Sequence, residues 1–271
     1  PALGPVGAGL LLQPSGLAVL ERLGLLRPIL DHGAIVRRLL GLTPAGRPVL
    51  DLAYADLGPG EHYGVGVQRG LLFSHLLAAT KAAGAQVRTG VEVVSVEAPD
   101  TSPTAVDATD GLHGPFDLLA FADGARSGAR ALLGVTKRMT VYPYGALWFV
   151  GDDPAGRFDG VLSQVYHGTR TMLGFLPSGR LDAASPRRTS LFWSLRLRDE
   201  ARVRAAGVES FRQRVLKLAP HAEPLLSTLR SPDQLVTAAY HDVVLRTPVA
   251  GRVVFLGDAA HAMSPQLGQG A

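Results

Sequence analysis

The chain of 271 residues contains no cysteine. That excludes disulfides, thiolate metal centres and cysteine nucleophiles together, and it fits a cytoplasmic setting. Apolar runs are short: none approaches the roughly 20 residues a membrane-spanning helix needs, so no integral membrane segment is expected. The first residues lack the basic-then-apolar order of a signal peptide. Charge is sparse, 18% of residues, with 27 Lys+Arg against 23 Asp+Glu. The densest basic stretch, Arg196 to Arg214, is broken by Asp199, Glu200 and Glu209 and carries no interleaved aromatics. It reads as the solvated face of a helix, and nucleic acid is not an expected partner. No His-Asp-Glu ligand cluster stands out, and no metal is expected. What remains is a globular composition, 46% hydrophobic, ample for a core.

The most informative stretch is Arg252 to Ala271, RVVFLGDAAHAMSPQLGQGA. Val253 to Leu256 is too short for a free-standing helix and β-branched enough for a buried strand. Gly257 and Asp258 end it. In α/β sheets ligands sit beyond the carboxyl ends of strands, where an aspartate is placed to bind a hydroxyl. Pro265, Gly268 and Gly270 follow, and the two glycines let backbone approach a flat, electron-rich ligand closely. A second strand, Leu118 to Ala122, ends in Asp123-Gly124, predicted at the same sheet edge as Asp258. After it, Ser127 is placed to cap a short helix, and Arg126 and Arg130 offer guanidinium groups suited to phosphate oxygens.

Elsewhere the pattern is coarser. Ser15 ahead of apolar residues 17, 20, 23 and 25 predicts an N-capped helix ending near Gly24. Gly7-Ala8-Gly9 is not a dinucleotide fingerprint, because no strand precedes it. Residues 34 to 56 predict two short strands around Pro44 to Arg47. Leu71, Leu72, His75, Leu76 and Ala79 predict a helix ending at Gly84. Arg69 stands in its first turn, where a cation opposes the helix dipole unless an anion lies opposite. Val91 to Glu97 alternates as a half-buried strand, with a hairpin at 104 to 114. Segments 141–150, 160–166, 170–176 and 189–197 predict an antiparallel sheet. Residues 199 to 218 predict an amphipathic helix and 236 to 245 a further strand.

Gly-Asp-Ala-Ala-His, Pro265 and Gly-Gln-Gly at this spacing resemble the second flavin-contacting motif of the class A flavoprotein aromatic hydroxylases, the family of para-hydroxybenzoate hydroxylase and the ubiquinone-biosynthesis hydroxylases. Ala-Asp-Gly-x-x-Ser-x-x-Arg at 122–130 and Arg-x-x-Leu at 69–72 are similar to two more of its motifs. The resemblance implies an α/β (α+β overall) fold: a Rossmann-like FAD-binding domain, incomplete here, with an inserted, mostly antiparallel substrate domain. FAD-binding residues would be 1–32, 64–138 and 233–271, and substrate-domain residues 33–63 and 139–232. It implies that Gly257 and Asp258 meet the ribityl chain, that Pro265, Gly268 and Gly270 lie beside the isoalloxazine, and that Arg69 contacts the flavin. Val93 would pass the adenine, and Asp123, Gly124 and Arg130 would meet the pyrophosphate and the nicotinamide donor's path.

The implied reaction uses FAD, NADPH or NADH, and O2 to hydroxylate a small aromatic or similarly electron-rich molecule through a flavin hydroperoxide. No side chain need act as nucleophile or base, since flavin carries the chemistry. Halogenases and prenyl reductases with related flavin domains remain open as alternatives. Pro1 and Ala271 read as internal positions of a longer protein whose dinucleotide fingerprint lies upstream, so an inactive piece that holds FAD weakly or not at all is a third expectation.

Overall fold

β-Branched and alternating segments assemble mainly into one large sheet. The structure, a computed structural model, describes residues 8–265. In chain order the elements are β1 (Gly9–Leu12), α1 (Pro14–Arg22), α2 (Leu26–His32), β2 (Ala34–Leu42), β3 (Pro48–Ala53), β4 (Gly64–Gln68), α3 (Arg69–Ala82), β5 (Val93–Glu97), β6 (Thr104–Asp107), β7 (Leu112–His113), β8 (Leu119–Phe121) and α4 (Ala129–Leu132). Then come β9 (Thr136–Asp152), β10 (Gly160–His167), β11 (Thr171–Pro177), β12 (Arg188–Arg196), α5 (Glu200–Ala205), α6 (Gly207–Leu218), α7 (Glu223–Leu226), β13 (Val236–Leu245), β14 (Val249–Ala250), β15 (Val253–Phe255) and α8 (Asp258–His261).

The nine-stranded sheet runs β1-β4-β2-β10-β11-β12-β9-β13, with β3 also on β2; β14-β15-β8 and β5-β6-β7 form two three-stranded sheets. All pairs in the large sheet are antiparallel except β10 with β2. The expected boundaries after residues 32, 63 and 232 do not mark a break in hydrogen bonding. β1 and β4, expected on the flavin side, pair with each other and β4 with β2, while β13 pairs with β9 along its length.

Period-2 alternation gives the large sheet two apolar faces. On one, Leu147, Phe149, Leu173, Phe175, Leu191 and Trp193 pack against Phe211 and Val215 of α6 and Leu225 and Leu226 of α7. On the other lie Leu39, Leu162, Phe192 and Ala146, with Trp148, Met172 and Tyr240 half-buried. A third cluster packs α1 and α2 and the apolar stripe of α3 on β1 and β4.

Several local expectations change. α1 begins with Pro14 at its first position and Gln13 at the N-cap, so Ser15 lies inside the first turn and caps nothing. The strand β1 replaces what reads as the run into that helix, and its Gly9 serves packing: a side chain there would strike Ser178 and Ser190, whose hydroxyls bond each other at 2.8 Å while Ser190 accepts from the Gly9 N–H. The 199–218 helix is two helices, because Gly207, which opens α6, takes φ 79° and breaks the run from α5. α3 ends as expected, with Gly84 at φ 79° just past its C-cap.

β4 is buried at every residue. A Cβ on Gly66 would overlap the backbone carbonyl oxygen of Pro177, which cannot swing aside as a side chain can. Gly66→Ala should therefore destabilise the fold by about 1–3 kcal/mol, read as a lower urea midpoint with an unchanged denaturant slope; an unchanged midpoint would mean that β4 and β11 are not so closely apposed.

Candidate functional site

The two aspartates are brought together by three residues of parallel pairing: Val253, Val254 and Phe255 of β15 stand opposite Leu119, Ala120 and Phe121 of β8. The Leu256 N–H extends the ladder to the Phe121 carbonyl at 2.9 Å. Beneath the joint, Phe121 and Phe255 stack at 5.5 Å, packed with Val253, Ala129, Val135 and Ala259. Asp123 and Gly257 thus leave the sheet two residues past facing phenylalanines, with Asp258 next in line. Both carboxylates are exposed, and among the described residues neither carries a hydrogen bond or salt bridge.

Burial of the strands is one-sided. Phe121 is buried, but Leu118 is 61% exposed and Leu256 48%, so the expected fully buried runs at 118–122 and 253–256 are corrected to three-residue strands with one packed face. The loops beyond them are open. Gly124 has φ 84° and Gly257 φ 54°, a region that favours glycine, and a Cβ at either would meet nothing within 4 Å. Exposed carboxylates beside bare backbone suit a polyhydroxylated, extended ligand, and the ribityl-pyrophosphate part of FAD has that character.

Arg130 differs from its expectation. Its side chain is 2% exposed and turned inward rather than toward a phosphate. Nη1 donates to the Ala259 carbonyl at 2.8 Å, to Gly124 at 3.3 Å and to Asp258 at 3.5 Å; Nη2 donates to the Ala125 carbonyl and lies 3.6 Å from the Met139 sulfur. The guanidinium is therefore a tie between the two aspartate loops. Burial pushes its pKa down and the nearby Asp123 carboxylate works against that shift; a guanidinium stays charged regardless. Ser127 does not cap α4: its hydroxyl is buried without a hydrogen-bond partner, and Gly128 holds the N-cap position. Arg126 is exposed beside it.

Of the remaining expected residues, Val93 begins β5 and packs half-buried on the Phe121-Phe255 cluster. Arg69 is exposed at the start of α3, whose Leu71, Leu72 and Leu76 join the α1-α2 cluster instead; no hydrogen bond or ion pair links it to the aspartate loops among the described residues. Pro265 is exposed at the end of the described chain, and Gly268 and Gly270 lie outside the described residues. Sequence reasoning missed the segment after α8 as a link: the Val243 N–H donates to the Ala262 carbonyl at 2.9 Å, joining the Asp258 loop to β13 of the large sheet.

A model of the FAD binding domain family matches residues 5–271. The chain belongs to that family, the class A FAD-dependent aromatic hydroxylases. Among its relatives is 2-heptyl-3-hydroxy-4(1H)-quinolone synthase of Mycobacteroides abscessus, 27% identical over 265 residues, spanning 98% of this chain and 68% of the relative. The fold is that of the tetrameric form of 2-methyl-3-hydroxypyridine-5-carboxylic acid oxygenase, with a TM-score of 0.80 and 21% identity over 99% of this chain and 69% of that one. It is likewise that of Pseudomonas aeruginosa PqsL in complex with 2-aminobenzoylacetate, with a TM-score of 0.79 and 21% identity over 97% of this chain and 71% of that one. The expected flavin-binding α/β architecture with a large, mostly antiparallel sheet is thus observed, and no helix among the described residues is long and apolar enough to cross a membrane.

Arg130 gives a direct test of the tie. Arg130→Met leaves several carbonyls without their donor and should cost at least about 2 kcal/mol, seen as a lower unfolding midpoint, with Arg130→Lys intermediate because an ammonium cannot span both loops. Unchanged stability in Arg130→Met would contradict the geometry.

Proposed function

We propose that the chain binds FAD across the Asp123 and Asp258 loops and, with NADPH or NADH and O2, hydroxylates a small aromatic or similarly electron-rich molecule. The observation that carries this reading is the β8–β15 register, which delivers two unpaired carboxylates and two open glycine turns to one sheet edge. Bound FAD would supply the redox chemistry, taking electrons from the nicotinamide and passing them to O2 so that one oxygen atom reaches the ring.

The chain's own work is placement. Asp258 accepts hydrogen bonds from ribityl hydroxyls, and Asp123 from hydroxyl groups nearer the pyrophosphate. Backbone at Gly124 and Gly257 approaches without steric hindrance. Arg126, exposed at the same edge, attracts phosphate of either dinucleotide, while Arg130 holds the loops from below. Arg69 and Val93 are assigned to the flavin and its adenine on the resemblance alone, as are Pro265, Gly268 and Gly270 beside the ring. On this reading the flavin-binding unit is the two small sheets with α4 and α8, and the large sheet forms the substrate side. The relatives' names, a 3-hydroxy-4(1H)-quinolone synthase and a hydroxypyridine carboxylic acid oxygenase, both refer to aromatic rings. A cysteine-free chain using a nicotinamide reductant suits the cytoplasm.

Titration of the apoprotein with FAD tests the assignment. Losing a charge-assisted hydrogen bond costs about 1.5–3 kcal/mol, so Asp258→Asn should weaken FAD binding by about tenfold or more, without lowering the unfolding midpoint of the apoprotein. In turnover with phenols, NAD(P)H oxidation should need no halide. Unchanged FAD affinity, or a strict halide requirement, would contradict the proposal.

A further inference from the structure

The large sheet's second face, opposite the α5–α7 helices, carries a row of aromatic side chains that forms a floor. In register across the strands stand Trp148, Phe192, Gly174, Gln164 and Gly41. Trp148 and Phe192 rings lie 4.9 Å apart. A Cβ on Gly174 would overlap the Phe192 ring, and one on Gly41 the Tyr166 ring, so these two rings lie down over glycines instead of standing off the sheet. At the β13 side, Tyr240 packs half-buried on the same cluster. Three residues further along that strand, about 10 Å at strand rise, Val243 bonds to Ala262 beyond the Asp258 loop. The floor therefore leads to the edge where FAD is placed above.

Gln164 is the polar group in the middle of this floor, and its side chain is 7% exposed. The Tyr166 hydroxyl donates to its Oε1 at 2.9 Å, and its Nε2 faces the Met172 sulfur at 3.5 Å. A thioether can only accept, and weakly, so the amide nitrogen must be the end that faces it. Met172 is half-buried and unbranched, and such a side chain repacks at small cost. Gln164 thus presents an oriented donor whose present acceptor is readily displaced. Strand alternation along β12 places two arginines on this face, both toward its margins: Arg188, paired with Asp152 at 3.3 Å, and Arg196, whose Nε donates to the Tyr144 hydroxyl at 2.9 Å and whose guanidinium lies 5.5 Å from that ring's centroid.

We propose that this floor selects a neutral, planar ring carrying a hydrogen-bond acceptor such as a ring carbonyl, and that Gln164 Nε2 is the donor that reads it. A substrate carboxylate on the floor would lose its water against aromatic rings and a neutral amide, a cost that no cation beside Gln164 among the described residues offsets. A neutral carbonyl gains the amide N–H in place of a thioether, and its ring packs on the half-buried Trp148 and Tyr166. The inference rests on the aromatic-hydroxylase reading and adds the polarity of the substrate and the residue that senses it.

The test uses the FAD-loaded protein carrying Trp193→Phe, which leaves Trp148 on the floor as the single tryptophan. Quenching of its fluorescence is titrated with 4(1H)-quinolone and with 4-hydroxyquinoline-2-carboxylate, a similar ring that adds a charge. The neutral ring should bind at least tenfold more tightly. Gln164→Leu should cost about tenfold in quinolone affinity, one hydrogen bond's worth. Gln164→Glu, which keeps the side chain's shape and an acceptor for Tyr166, should weaken quinolone binding to a similar degree. Equal or tighter binding of the carboxylate, or quinolone affinity unchanged in both Gln164 variants with FAD retained, would overturn the proposal. A protein that binds quinolone as expected but fails to hold FAD would instead overturn the function proposed above.

Discussion

Parallel pairing of β8 with β15 is the constraint on which the rest of the site depends. Three rungs over a stacked pair of phenylalanines set the register, and register decides that Asp123 and Asp258 emerge at one edge instead of opposite ends. So short a ladder would leave the loops beyond it free to splay. The buried Arg130 guanidinium prevents that by donating to carbonyls on both sides, the Gly124-Ala125 turn and the Asp258-Ala259 turn. A planar fork with several fixed donors can join two backbones in this way, whereas a lysine would choose between them. The exposed carboxylates are thereby held by groups that do not themselves meet the ligand.

Much of this was legible in the sequence, and what was not has identifiable causes. The strands ending at Asp123-Gly124 and Gly257-Asp258 were readable because β-branched runs stop at glycine and aspartate. The hairpin of β2 and β3, the strands β9 to β12 and the helix from Arg69 were readable from period alone. The direction of the Arg130 side chain was not. An arginine one turn into a helix reads as a surface phosphate ligand, and its burial depends on carbonyls contributed 128 and 129 residues away. Ser15 and Ser127 failed as caps because Pro14 and Gly128 took over the positions that set the helix starts. The partners of β1 and β4 were not readable either, since β1 pairs with β4 and β4 with β2 through contacts that no local pattern encodes.

The large sheet also shows how one strand sequence serves two purposes. Along β12, Leu191, Trp193 and Leu195 face the helices and form the core, while Phe192 and Ser194 face the other way. Trp193 is accordingly core, edge-on to Phe211, as expected of a buried tryptophan; Trp148, on the opposite parity of β9, packs half-buried on the other face. β13 carries that face to the Ala262 carbonyl, so the substrate side and the flavin side share a hydrogen-bonded strand.

The most direct measurement is a crystal structure of the FAD-loaded protein. The account predicts that one FAD lies along the edge formed by β8 and β15, with the Asp123 and Asp258 carboxylates each within about 2.5–3.2 Å of a polar FAD atom or joined to it by a single water. A flavin bound elsewhere, or touching one aspartate loop while the other faces solvent, would contradict it.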